Sequence, residues 1–309
     1  MSHIDQNISR RLIFAITLTA VTLVAEVIGG IWSNSLALLS DAGHVFLDLF
    51  ALTLSLGAIK LAAHPPGERH SFGLHRAEVL ASLVNGVTVL LMAFGILYEG
   101  SKRLVAPEEV RTLPMLVVAI LGLVANLLAA KGLHGHAHHD LNVRSAFLHV
   151  LGDAAASLGV ICGAVLMRFT GWYQVDPLVS IAIGLLILSG AFRVLRDAVH
   201  ILMEGVPRGM TVEQVAERIR AVDGVADVHH LNLWAVCSHI LALSAHVEID
   251  PEHDGQRSLL MRTIEHELRH HFHITHTTIQ FDCSACNGGP LIKELTHRER
   301  SSDCSRHHH

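Results

Sequence analysis

Residues 35–62 read SLALLSDAGHVFLDLFALTLSLGAIKLA, a run long and apolar enough to cross a bilayer that carries His44 and Asp48 four residues apart near its middle. The spacing His44/Asp48 recurs at His149/Asp153, inside VRSAFLHVLGDAAASLGVICGAVLMRF at 143–169. Four residues are about one helical turn, so each pair leaves its helix on one face. Ionisable side chains at membrane depth are costly and mark ion pathways by default. Chance placement gives about one HxxxD in a chain this rich in histidine. Four occur, the other two being His136/Asp140 and His246/Asp250. Placement in mid-span sets His44/Asp48 and His149/Asp153 apart. The alternative reading is of polar pairs that only join helices.

Six apolar spans emerge around these two: about Leu12–Ile31, Ser35–Ala62, Ala77–Tyr98, Leu113–Leu133, Val143–Phe169 and Leu178–Met203. Half of the residues are hydrophobic, 17% are charged, and the mean hydropathy is +0.42, too apolar for an ordinary soluble domain. Arg10 and Arg11 precede the first span, which has no clear cleavage exit and reads as a retained helix. Basic residues favour one set of connections, which places both termini in the cytoplasm of a cell whose inner membrane holds the spans. Trp32 and the Trp172/Tyr173 pair then fall at outer ends, as interfacial aromatics do. By helical rise, Asp48 and Asp153 both lie near mid-bilayer.

Charge thickens after about residue 205, where a soluble domain is expected over 206–287, followed by a polar, disordered tail over 288–309. The transmembrane domain is thus 1–205. Thr211–Val222 is amphipathic and opens on a Thr211/Gln214 capping box. Strands are expected at Val228–Val236, Ile240–Ile249 and Thr277–Phe281, with a helix at Ser258–Phe272. The order αββαβ predicts a small α+β domain of ferredoxin-like type. The five cysteines form no secreted disulfide framework, and no basic stripe suggests nucleic acid. The terminal His307–His309 are set aside as a possible truncated tag.

Two imidazoles and two carboxylates make a tetrahedral set for a divalent cation, and the carboxylates balance its charge. Such donors suit Zn2+ and accept Cd2+ or Co2+. Metal binding displaces protons from imidazoles, and exchange with an incoming proton halves the outward charge moved against an inside-negative potential. Secondary antiport follows as an expectation, with no organic cofactor. No P-loop supports drive by ATP.

The segments 35–48 (SLALLSDAGHVFLD), 70–73 (HSFG) and 274–280 (ITHTTIQ) resemble the cation diffusion facilitator family, closest to its bacterial zinc/cadmium/cobalt efflux branch and the related eukaryotic zinc transporters. The resemblance runs from Leu12 to Phe281. It implies a homodimeric, proton-coupled exporter embedded in lipid, with a cytoplasmic ferredoxin-like domain, and it gives the transport-site role to His44, Asp48, His149 and Asp153. It further implies an interlock between Arg76 and Glu204 that stabilises a dimer. It also implies a second, regulatory metal site near His229, His246 and Asp282. Gln280 stands where that site has a histidine, and Cys283-x-x-Cys286, half of a zinc site by its spacing, is the candidate replacement. The competing reading has His229 and His246 satisfied by hydrogen bonds and the cysteines idle.

Weaker signals complete the reading. The loop His134–His139 either collects zinc or is merely solvated. His70, His75 and Glu68 are candidate ligands of a surface site. Asp41, one turn outward of His44, is a candidate for an exit path, while Glu26, Asn85 and Asn126 read as interhelical hydrogen bonders. His266-Glu267-Leu-Arg-His270 is a literal HExxH and opens the alternative of a zinc-dependent hydrolase. However, a helix that buries Leu260, Ile264 and Leu268 turns both histidines to its wet face. A membrane-anchored zinc sensor without transport is the third reading.

Overall fold

The computed structural model describes residues 3–134, 141–282 and 289–293; the side chains of residues 3–16, 132–134, 141–146, 148, 149 and 254 lie outside that description. Six long helices come first: α1 (His3–Ser33), α2 (Leu36–Ala62), α3 (Arg76–Val105), α4 (Thr112–His134), α5 (Leu141–Thr170) and α6 (Val175–Leu202). Among the described residues, α2 to α6 each contain a stretch long and apolar enough to cross a membrane. In α1 the described apolar part, Thr17–Ser33, is shorter than that. The chain divides into two compact units, residues 1–61 with 80–196, and residues 62–79 with 197–309.

In the first unit the apolar side chains point outward as much as inward. Leu91, Phe94 and Leu186 are exposed, at 66%, 55% and 73%. Patches of this extent on a water-soluble protein would drive aggregation, whereas lipid accepts them. The inner seam is formed by Leu38, Met115, Val160 and Met167, all nearly inaccessible. Helix α4 packs against both α1 and α5. Gly29 permits the close approach of α1, because a Cβ there would lie 2.6 Å from Val118 Cγ2.

The start of α2 is fixed from another helix. Asp176, in the first turn of α6 and 1% exposed, accepts hydrogen bonds from Ser35 Oγ at 2.6 Å, Leu36 N at 2.7 Å and Ala37 N at 3.2 Å. Ser35 Oγ in turn accepts from Leu38 N at 3.2 Å. The first amides of a helix have no partner within it, so a carboxylate at this end both satisfies them and meets the positive end of the macrodipole.

The second unit contains α7 (Val212–Arg220), β1 (Val225–Cys237), β2 (Ile240–Ile249), α8 (Arg257–Phe272) and β3 (Ile274–Asp282). The order αββαβ is the one expected. The sheet has three strands in the order β1-β2-β3, with β2 antiparallel to β1 and parallel to β3. Among the described residues no strand precedes α7, which a full β-α-β-β-α-β order would require. The Thr211/Gln214 capping box forms as read, with both reciprocal bonds present. Val215 and Ile219 of α7 and Leu260, Ile264 and Leu268 of α8 bury against Leu243, Val247 and Ile274 of the sheet. Side chains alternate along a strand, so Ser244, His246 and Glu248 lie on the face opposite Leu243, Ala245 and Val247. The start of the expected tail is held in place: His230 N donates to Pro290 O at 3.1 Å and Leu231 N to Leu291 O at 2.7 Å.

Candidate functional site

Within the first unit, α2 presents His44 and Asp48 one turn apart and α5 brings Asp153 to them. His44 Nε2 stands 3.7 Å from Asp48 Oδ2 and 3.8 Å from Asp153 Oδ1. One ligand atom from each of the three lies within 4.8 Å of the other two. Zinc bonds of about 2.1 Å in a tetrahedron put donors about 3.4 Å apart, so a small contraction closes this set around one ion. His149 occupies the turn of α5 before Asp153; its side chain lies outside the described residues.

The three donors line a cavity of about 450 Å³, together with Asp41, Asn85 and Gly152. Asn85 departs from its expected role. Its Oδ1 is buried without a hydrogen-bond partner among the described residues, so it serves the cavity wall rather than a neighbouring helix. Asp41 is 3% exposed and accepts from Ser157 Oγ at 3.4 Å. Glu26, also read as a hydrogen bonder, is 1% exposed with an unpartnered Oε2 among the described residues.

The second cluster stands on the sheet face turned away from α7 and α8. Register sets His229 opposite His246, His246 opposite Gln280, and Glu248 opposite Asp282. His246 Nδ1 is 2.9 Å and His229 Nε2 is 3.3 Å from Asp282 Oδ2, while Gln280 Nε2 donates to Asp282 Oδ1 at 2.9 Å. Gln280 therefore orients the carboxylate from the position where a histidine is expected. His229 Nδ1 and Glu248 Oε1 face each other at 3.7 Å, both buried and neither hydrogen-bonded among the described residues.

Sequence reasoning missed His230. Consecutive strand residues face opposite ways, which would turn His230 away from His229. A register shift between His229 and Asn232, with His230 at φ +50°, rotates both rings to one side. The ring centroids of His229, His230 and His246 lie 4.9, 5.3 and 5.1 Å apart in pairs, and their ligand atoms fall within 4.8 Å of one another. The His229-His230 doublet inside the expected strand was the available signal. Burial, with the charges of His229, His246 and Lys293, holds His230 below the usual imidazole range. Burial works to raise Asp282, but hydrogen bonds from His246 and Gln280 outweigh it and hold the carboxyl below its usual range. A neutral imidazole and an ionised carboxylate are the forms that bind metal. Cys283 and Cys286 lie outside the described residues.

The other candidates are placed as follows. Arg76 Nη2 stands 2.8 Å from Glu204 Oε1 within the same chain, with Glu204 at φ +56° just past α6. Among the described residues His70, His75 and Glu68 do not converge to ligand spacing. Residues 135–140 of the histidine-rich loop lie outside the described residues. In the HExxH segment both histidines are exposed, with ring centroids 5.9 Å apart. Glu267 is paired with Arg218, whose Nε lies 2.8 Å from its Oε2, and its Oε2 lies 3.4 Å from His271. The carboxylate that a hydrolase would use as base is thus held by a guanidinium.

Two family descriptions match this chain: "cation efflux transmembrane domain" over residues 12–203 and "cation efflux protein, cytoplasmic domain" over residues 207–283. Among similar proteins, the zinc transporter ZitB of Pectobacterium atrosepticum is 40% identical over 288 residues, covering 93% of this chain and 89% of its own. The cadmium, cobalt and zinc/H(+)-K(+) antiporter of Bacillus subtilis is 37% identical over 314 residues and matches end to end. The metal cation efflux system protein CzcD of Cupriavidus metallidurans is 39% identical over 277 residues, 90% of this chain and 87% of its own. With a three-donor cluster seated among apolar helices and both domain patterns in sequence, the chain belongs to the cation efflux family.

Proposed function

We propose that this protein exports divalent cations, Zn2+ first and Cd2+ or Co2+ by the same donors, in exchange for protons. The observation that carries the reading is the convergence of His44, Asp48 and Asp153 from two apolar helices onto a single cavity. Zn2+ is the substrate, bound by these three with His149 as the fourth donor. Two carboxylates cancel its charge, so the loaded site is nearly neutral and crosses between inward- and outward-open states at low electrostatic cost. Moving one charge against 100 mV costs about 2.3 kcal/mol and a divalent ion about twice that, so returning one proton per ion removes half of the divalent load. Protons arriving at His44 and His149 compete with the metal for the same nitrogen atoms and promote its release.

All six long helices span the inner membrane of a bacterial cell in this reading, with both termini in the cytoplasm. Residues 1–205 are the transport domain and 206–287 a cytoplasmic domain, a ferredoxin-like fold reduced to three strands. That domain pairs two copies of the chain, with Arg76–Glu204 stiffening each copy beside the dimer contact. His229, His246 and Asp282, joined by His230 and with Cys283 and Cys286 next in the sequence as further candidates, hold a regulatory zinc. The donor chemistry supports it: two histidines already share Asp282, and two buried polar atoms, His229 Nδ1 and Glu248 Oε1, lack partners among the described residues.

The test is zinc flux in sealed vesicles under an imposed pH gradient. Asp48→Ala and Asp153→Ala are expected to insert normally and to lose transport. Full flux in both would end the assignment of these residues, and zinc binding without any flux in the parent protein would leave a sensor.

A further inference from the structure

Helix α1 carries a buried acid, Glu26, that is not among the metal donors. Glu26 of α1 points across the interior of the helices and stops over Gly122 of α4. A Cβ at Gly122 would lie 2.8 Å from Glu26 Oε1, 3.6 Å from Thr22 Cγ2 and 3.8 Å from Ser157 Oγ. Glycine at 122 is what leaves room for the carboxyl. Ser157 of α5 turns its hydroxyl to Asp41 Oδ2 at 3.4 Å, and Asp41 lines the cavity shared with His44 and Asp153. Glu26 Oε1 and Ser157 Oγ therefore both border Gly122, and Ser157 Oγ links on to Asp41 at the cavity.

Glu26 is 99% inaccessible, and its Oε2 has no hydrogen-bond partner among the described residues. The charges that bear on it, Asp41 on α2 and Asp153 on α5, are both negative. An isolated buried carboxylate is among the costliest groups a protein can hold, and among the described residues no cation acts on this one. Among the described residues the oxygens of Glu26 and Asp41 do not gather with a third acid or histidine at metal-ligand spacing, so Glu26 is not placed to ligate zinc.

We propose that Glu26 is a proton-binding site separate from the metal donors, loaded and unloaded through Ser157 and Asp41. With the cavity empty of metal, Glu26 keeps its proton. When a divalent cation enters beside Asp41, the O–H bond of Glu26 breaks, and the proton passes by way of the Ser157 hydroxyl to Asp41 and out through the cavity. Departure of the metal reverses the transfer. Linkage makes the effect mutual, so a proton on Glu26 weakens metal binding by the same factor that metal weakens the proton. The transport consequence rests on the antiport reading above; the existence of the protonated acid does not.

Two measurements on the full-length chain test it. In vesicles loaded with zinc and pH indicators, Glu26→Gln, which copies the protonated shape, is expected to move zinc down an imposed zinc gradient while returning one proton fewer per ion than the parent. An unchanged proton count overturns the proposal. In detergent, with no transport required, the infrared spectrum of the parent should contain the C=O band of a buried carboxylic acid. That band should be absent in Glu26→Gln, shifted in Gly122→Ala, and diminished when Zn2+ is added. A parent spectrum without the band, or a band that survives Glu26→Gln, overturns it even if that variant carries no zinc. Zinc flux without proton flux in the parent would instead remove the antiport reading and leave the infrared result to decide the site.

Discussion

Replacing Asp176 tests how the helix carrying His44 and Asp48 is held. The carboxylate accepts three hydrogen bonds from the first turn of α2, at 2.6, 2.7 and 3.2 Å, in a place with almost no solvent. A hydrogen bond to a charged group contributes about 1.5–3 kcal/mol, and a buried donor left alone costs about 1–3 kcal/mol. These overlap, because the three share one acceptor group and Ser35 Oγ can still accept from Leu38 N. Asp176→Ala is therefore expected to cost about 3–5 kcal/mol. Asp176→Asn keeps the oxygen that serves Ser35 and Ala37 but turns an amide N–H toward Leu36 N, so about 2–3 kcal/mol is expected. A double-mutant cycle with Ser35→Ala should return a coupling of about 1–2 kcal/mol. Reversible unfolding in mixed micelles, followed by helical circular dichroism, measures all three. An Asp176→Ala protein within 0.5 kcal/mol of the parent would refute the capping argument. Equal losses for Asn and Ala would show that the acceptor atoms are not its source.

Other perturbations separate the remaining contacts. His230→Ala should lower the zinc bound by full-length Asp153→Ala protein, whose transport site is disabled; an unchanged metal count by elemental analysis would remove His230 from the ligand set. Leu268→Ala, at a fully buried position of α8, is expected to cost about 2–5 kcal/mol in unfolding of the second unit, read as an earlier thermal transition. Glu267→Gln removes a partly exposed pair with Arg218 and should change stability by less than about 1 kcal/mol, with zinc flux intact. Zinc-dependent peptide cleavage lost in that variant would revive the hydrolase reading.

The helices and the αββαβ order were legible because each rests on local signals: long apolar runs, a capping box at Thr211, and alternation along Ile240–Ile249. The pairs at α2 and α5 were legible because charge is rare at that depth. What was hidden depends on contacts between distant segments. Asp176 looks like an ordinary first-turn acid of α6, and only the tertiary structure reveals that it caps α2. His230 was lost to the period-2 rule, which a single bulge suspends. Glu26 read as a helix-joining group because sequence cannot say whether a buried acid finds a partner. Gln280 was noticed as a departure, yet its use in steering Asp282 needed the register of β2 and β3.

The backbone carbonyls of Pro290 and Leu291 occupy amides on the outer border of β1. Along that stretch a foreign strand finds His230 and Leu231 already bonded, whereas among the described residues no strand pairs with the far side of β3. Growth of the sheet from that part of β1 is thereby disfavoured by a short piece of chain whose one described core contact is Leu291.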